Sequence, residues 1–358
     1  MSIYFVLYAM IGLMGFVSYG AQHRFSNLKN ILGWFCFTLV FMLLALRHQS
    51  MGIDLGYYSV YHTGYLDSFD VLSNLSWSEV LNTKQYLNYE YGYILLNKLI
   101  GSVWHDRQFF MAACALLSIY PVARMTMENS ASPILSCVIY LVLPVFEILF
   151  SGLRQGLAVG ICCWAIGFVR EKKLITFLLT VLLACLFHDA SFIFLLAYPI
   201  YHIRLNRELR LVSILLIPLV FLFRVQLFQV LSLLFKQNAE MDHNGALNLL
   251  ILFSGIYAVC ALFVRADDAE KNGYLNLFFI ACMIQVFGNV YSTALRVGYY
   301  FIPYVILLIP GVVEEMEPRL RVIAKLTVVL FFVVFGLSKL HSISWAMTYP
   351  YYWFWQVR

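Results

Sequence analysis

Charge is scarce in this sequence. Asp, Glu, Lys and Arg make up 12% of its 358 residues, hydrophobic residues make up 62%, and the mean hydropathy is +0.80. A water-soluble domain of this length carries about twice that share of charge, so a soluble fold is excluded. Nucleotide and metal-hydrolase signatures are missing as well. No Walker A, HExxH, GxSxG or DxD motif occurs, which leaves ATP-driven or metal-hydrolase chemistry without support. The eight cysteines (36, 114, 137, 162, 163, 185, 260 and 282) all fall in apolar runs and none forms a metal-ligand spacing. Neither a disulfide framework nor a zinc site is indicated. The pI of 8.7 does not argue for nucleic acid, because basic loops on one face of a membrane account for it. No basic region precedes the first apolar segment, Ile3 to Ala21, which therefore reads as a membrane helix rather than a cleaved signal.

What is present is a succession of apolar runs near the roughly 20 residues that cross a bilayer. They lie at about 3–21, 31–46, 108–123, 133–150, 153–169, 174–187, 189–203, 211–223, 246–264, 274–291, 297–313 and 322–342. This predicts an all-α polytopic membrane protein of about twelve spans, with residues 1–358 as a single transmembrane domain. The short connections at 22–30, 124–132, 170–173, 204–210, 265–273 and 314–325 hold 14 of the 24 Lys and Arg residues, and read as cytoplasmic. That sidedness requires 47–107 to stay outside as one extracytoplasmic loop, with 89–104 lying on the membrane rather than crossing it.

On this topology Arg47, Asp54, Glu90, Arg154, His188 and Arg296 gather at the extracytoplasmic side. Arg154 is the most informative. A guanidinium at helix depth costs roughly 2.5–3.5 kcal/mol, so it is expected to face a polar cavity and an anionic partner. Gly152, Gly156 and Gly160 form a small-residue stripe about 200° round the helix from Arg154, suited to close packing of a neighbouring helix. His188-Asp189 interrupts the apolar stretch 174–203, and a neutral imidazole there can take a proton from a hydroxyl. Adjacent side chains point about 100° apart, so Asp189 is not automatically its partner. Glu90, inside the run Tyr86 to Tyr93, is a candidate carboxylate. Arg47 and Arg296 at helix ends could equally snorkel to the interface, and Asp54 between Gly52 and Gly56 could form a turn. Tyr57, Tyr58, Tyr61, Tyr65 and Tyr93 offer faces to sugar rings or form an interfacial belt, and the tail 349–356 reads as an interfacial anchor.

Taken in order, Arg47...Gly52-x-Asp54...Tyr58, Glu90-x-Gly92-Tyr93, Leu153-Arg154-Gln155-x-x-Ala158, His188-x-Ala190-Ser191, Arg296 and Pro350-Tyr351 resemble the EpsG/Wzy-like family of bacterial polysaccharide repeat-unit polymerases. Many members read His-x-Ser-Ala where this chain has His188-Asp189-Ala190-Ser191, which leaves the role of Asp189 open. The resemblance implies a GT-C-like helical enzyme of the bacterial cytoplasmic membrane, with its site facing the extracytoplasmic side. Its substrates would be undecaprenyl-diphosphate-linked oligosaccharides of an O-antigen, capsule or exopolysaccharide. The growing glycan would pass from its lipid diphosphate to the non-reducing end of another lipid-linked unit, in one inverting step. No cofactor and no metal are implied. Arg47, Arg154 and Arg296 would bind the diphosphate, with Arg154 stabilising its departure. His188 would be the base, with Asp54 or Glu90 as second choice, and Tyr58, Tyr93 and Gln155 would hold sugar. A flippase and a chain-length regulator are the implied partners besides the bilayer.

Three other readings compete. A flippase or other transporter of lipid-linked sugars predicts polar residues through both halves and an internal repeat, and neither is seen. A membrane O-acetyltransferase predicts an Arg and a His flanking the first helices, whereas His23-Arg24 falls in a cytoplasmic loop. A lipid-monophosphate glycosyltransferase or a polysaccharide ligase stays close in chemistry.

Overall fold

A computed structural model of the chain describes residues 2–21, 27–56, 64–82, 89–234, 247–288, 290–291, 293–340 and 347–356. Among these no strand forms. Each run read as a span contains helix, as expected where backbone donors and acceptors meet no water. Helices α1 (Ser2–Ala21) and α2 (Leu28–Ala45) lead into a turn at 46–56 and three shorter helices, α3 (Tyr65–Asn74), α4 (Trp77–Asn82) and α5 (Tyr91–Val103). Helix α6 (Arg107–Asn129) starts at Asp106, whose carboxylate accepts the N–H of Phe109. Then come α7 (Pro133–Tyr140), α8 (Pro144–Ser151), α9 (Leu153–Arg170) and α10 (Leu174–Cys185). A 3-10 segment Asp189–Leu196 runs into α11 (Ala197–Tyr201), followed by α12 (Arg207–Leu222) and α13 (Arg224–Leu234). The last helices are α14 (Leu247–Phe263), α15 (Ala269–Phe287), α16 (Ala294–Gly298), α17 (Val305–Glu314) and α18 (Pro318–Lys339).

Five of these, α1, α2, α6, α9 and α18, are long and apolar enough to cross a membrane, and up to seven spans result if two bent pairs each count as one. The α7–α8 pair bends by 61° and the α12–α13 pair by 77°. Pro144 explains the first bend. It cannot donate an N–H and it forces Leu143 into an extended conformation, with ψ at 146°. Four further apolar segments, α10, Asp189–Tyr201, α14 and Ile302–Glu314, are shorter.

Helices α2, α6, α7 and α9 pack together at the centre of one half, and α15 with α14, α16 and α17 at the centre of the other. The glycine stripe does what its spacing predicts. A Cβ on Gly160 would lie 2.9 Å from the Ser118 carbonyl, so α6 and α9 meet backbone to backbone. Within α15 the Asn276 amide nitrogen donates to the carbonyls of Ile200 and Ile203 at the end of α11.

The helix ends sort into two groups. In one, Arg170 pairs with Glu270 at 3.0 Å and Lys271 pairs with Glu315 at 2.6 Å, tying together the connections at 170–173, 265–273 and 314–317. In the other, Ile53 N–H donates to Ser151 Oγ, Tyr93 N–H to the Leu186 carbonyl, and a backbone bridge joins Arg47 to Trp353. Helices α3 to α5 stand at this second end. Helix α5 has 13 residues, about 20 Å at 1.5 Å per residue, short of a hydrocarbon core of roughly 30 Å.

Candidate active site

Arg154 occupies the first turn of α9, just after the break at Gly152 that separates α9 from α8. Its Nη1 donates to Glu90 Oε2 at 2.5 Å and its Nε to the Tyr65 hydroxyl at 3.3 Å. The guanidinium also lies 4.6 Å from the centroid of the Tyr89 ring, within cation–π range. Glu90 holds the N-cap position of α5 without a side-chain capping bond, and its second oxygen accepts the Asp189 N–H at 3.3 Å. One carboxylate therefore ties α5, α9 and the turn at 188–189 to a single point. The anionic partner expected for Arg154 is Glu90, and both side chains are largely buried.

His188 sits in the connection after α10, outside the helices, in an extended conformation. Its Nδ1 is 3.1 Å from the Tyr300 hydroxyl. Burial pushes the imidazole pKa below the ordinary histidine value, Glu90 opposes this, and the charges of Arg154 and Arg296 reinforce it. The ring is therefore neutral near pH 7. Arg296 is exposed at α16, and its carbonyl accepts the Gln155 amide at 2.6 Å. Its guanidinium has no ion-pair partner among the described residues. The cluster thus holds one arginine already neutralised by a carboxylate, a second arginine with no such partner among the described residues, and an imidazole that feels the charge of both. Such a set can bind an anion and move a proton.

The other expected residues divide. Asp54 is half-buried beside the cluster. Its carbonyl accepts the Tyr65 N–H, and its charge acts on the Tyr65 hydroxyl. Arg47 does not join them. It is fully buried, donates to the Phe150 carbonyl at 3.4 Å and lies over the Phe150 ring, with Nε and Nη1 unpartnered among the described residues. The Arg47 cation, expected at the diphosphate, faces the protein interior in this structure. Tyr93, expected to hold sugar, is also fully buried, edge-on to Tyr65 and Tyr89. Gln155, expected to hold sugar, is buried, and its amide nitrogen donates to the Arg296 carbonyl. Tyr58 lies outside the described residues.

Two features went unread in the sequence. Tyr300 was one aromatic among many. Glu147 lies inside the apolar run 133–150 and pairs with Lys339 at the end of α18. The cost argument that singled out Arg154 applies equally to Glu147 and would have found it.

A model of the EpsG family matches residues 30–353. No curated protein and no solved structure matches the chain. The matched region takes in every residue of the cluster, from Asp54 through Glu90, Arg154 and His188 to Arg296, and the chain belongs to the EpsG family of polysaccharide-polymerase-like membrane proteins.

Proposed function

We propose that this protein polymerises undecaprenyl-diphosphate-linked oligosaccharide repeat units at the extracytoplasmic face of a bacterial cytoplasmic membrane. The observation that carries the reading is the Glu90–Arg154 pair, set beside a neutral His188 and an Arg296 whose guanidinium has no ion-pair partner among the described residues. A lipid diphosphate leaving group is a delocalised anion, and guanidinium groups bind its oxygens through charge-assisted hydrogen bonds. Arg154 and Arg296 take that role, and Glu90 aims Arg154 and positions the turn that bears His188. With Nδ1–H donating to the Tyr300 hydroxyl, Nε2 of His188 keeps its lone pair for the acceptor hydroxyl. The hydroxyl oxygen attacks the anomeric carbon of the growing glycan as its proton passes to Nε2. The bond from that carbon to the diphosphate oxygen breaks, and the anomeric configuration inverts. Twelve spans, an outer loop at 47–107, a flippase that supplies the lipid-linked units and a chain-length regulator complete this picture.

The test is polymer formation in cells deleted for the gene and rescued with Arg154→Ala or Arg154→Lys. Loss of the long-chain ladder, with single repeat units still displayed, is the expected result, corresponding to a fall of about 10²–10³ in rate for a removed charge stabiliser. A full ladder from both variants would refute the leaving-group role. Loss of all displayed units, with precursor held inside, would point to a transporter.

A further inference from the structure

A polar hollow opens at the same end of the molecule. It is a cavity of about 390 Å³ between the start of α6, the α3 helix and the C-terminal segment. Arg107 forms its floor. Its Nε and Nη2 donate to Asp70 at 2.8 and 2.6 Å, and Nη2 also reaches Asp67 at 2.9 Å. His105 stands 3.7 Å from the other Asp70 oxygen. These contacts hold a guanidinium and a carboxylate in fixed orientations while leaving each about one-third open. Gln108 is anchored below through its amide nitrogen to the Ala45 and Arg47 carbonyls, and exposed Gln49 stands opposite. Phe354 closes the rim with 44% of its surface exposed, beside Trp355, which stacks on Trp353 with centroids 4.9 Å apart.

An exposed aromatic ring beside oriented, planar hydrogen-bonding side chains matches the chemistry of a pyranose. A sugar ring has a face of C–H groups for the aromatic and an equatorial fringe of hydroxyls, each both donor and acceptor. Asp67, Asp70 and the lining Asp106 outnumber the single Arg107 cation, so the hollow disfavours an anion, and its carboxylates can accept from sugar hydroxyls. Its position extends the argument. Asp70 follows Tyr65 by five residues on α3, about 7–8 Å along the helix, and the Tyr65 hydroxyl touches Arg154. An oligosaccharide reacting at His188 therefore has a few sugars in reach of this hollow.

We propose that the hollow lined by Gln49, Asp70, His105, Arg107 and Phe354 is a saccharide subsite, which grips the glycan at a distance from the bond being made. This rests on the polymerase reading for its ligand, and its test does not depend on turnover. The probe is a two-repeat oligosaccharide released from the cell's own surface polysaccharide, titrated against full-length protein in nanodiscs and followed by calorimetry. Phe354→Ala and Gln49→Ala are expected to weaken binding roughly fivefold to tenfold, while Phe354→Tyr, which keeps the ring, binds as the wild type does. Equal affinity in Phe354→Ala, Gln49→Ala and wild type would overturn the proposal, whatever the fate of Arg154→Ala. In cells the same variants separate the two possible sources of the sugar. A shift to shorter chains identifies the growing glycan, and accumulation of single repeat units at unchanged chain length identifies the lipid-linked acceptor.

Discussion

Glu90 holds two donors at once, the Arg154 guanidinium and the Asp189 N–H, and this sets the electrostatics around His188. Its negative charge favours the imidazolium, whereas Arg296 and Arg154 disfavour it. A base must be neutral to act, so polymerisation is lost as pH falls through the His188 pKa. Because burial lowers that pKa, the acid limb lies below the ordinary histidine range. The two neighbours then move the limb in opposite senses. Arg296→Gln removes a charge that lowers the pKa, and the limb shifts to higher pH. Glu90→Gln removes a charge that raises it, and the limb shifts to lower pH on a much reduced maximum, since Arg154 loses its anchor. The pH dependence of polymer formation in proteoliposomes checks both signs, and a common direction of shift would remove His188 as the base. Tyr300→Phe deletes the partner of Nδ1 and leaves the ring packing in place. A fall of about 5-fold in rate is expected, with protein abundance in the membrane unchanged, because an orienting hydrogen bond is worth about 1 kcal/mol.

At the scale of elements, the site depends on how closely α5 approaches the end of α10. A Cβ on Gly92 would meet the Leu186 carbonyl oxygen and Cβ, each at 2.7 Å, and the Tyr93 N–H donates to that same carbonyl. Gly92→Ala therefore pushes the start of α5, and Glu90 with it, away from the 188–189 turn, at a cost of about 1–3 kcal/mol. Polymer yield is expected to collapse while helical content measured by circular dichroism stays at the wild-type level. Leu186→Ala in the same chain keeps the clashing Cβ and carbonyl, so it is expected not to rescue, whereas Leu186→Gly removes the Cβ half of the clash and is expected to rescue partly. Full activity in Gly92→Ala would show that this contact does not position Glu90. Such joints explain which parts were legible beforehand. Arg154, Glu90 and His188 could be read because ionisable groups in apolar sequence are costly enough to need a reason. Arg47 drew notice on the same ground, yet only the packing of α8 reveals that its cation faces Phe150. Tyr300 and the Gly92–Leu186 contact were hidden because they pair segments far apart in the chain, in a sequence with 24 tyrosines and 20 glycines.

For the whole molecule, the two groups of helix ends carry different chemistry. One holds the Arg170–Glu270, Lys271–Glu315 and Lys325–Glu314 pairs within basic connections, and the other holds the cluster and the aromatic C-terminal segment. If basic connections face the cytoplasm, the cluster faces outward, where lipid-linked sugars arrive after translocation. Thiol labelling decides this in intact cells. Seven of the eight native cysteines are buried and Cys185 is only partly exposed, so background reaction with a membrane-impermeant maleimide is expected to be low. Gln49→Cys at the hollow should label from outside, and Glu171→Cys between α9 and α10 should label only after the membrane is opened. Both positions are exposed, so failure to react cannot be assigned to packing. The reverse pattern would turn the site toward the cytoplasm. Polymerisation would then have to precede export, and the saccharide hollow and the diphosphate-binding arginines would act on substrate before it crosses the membrane.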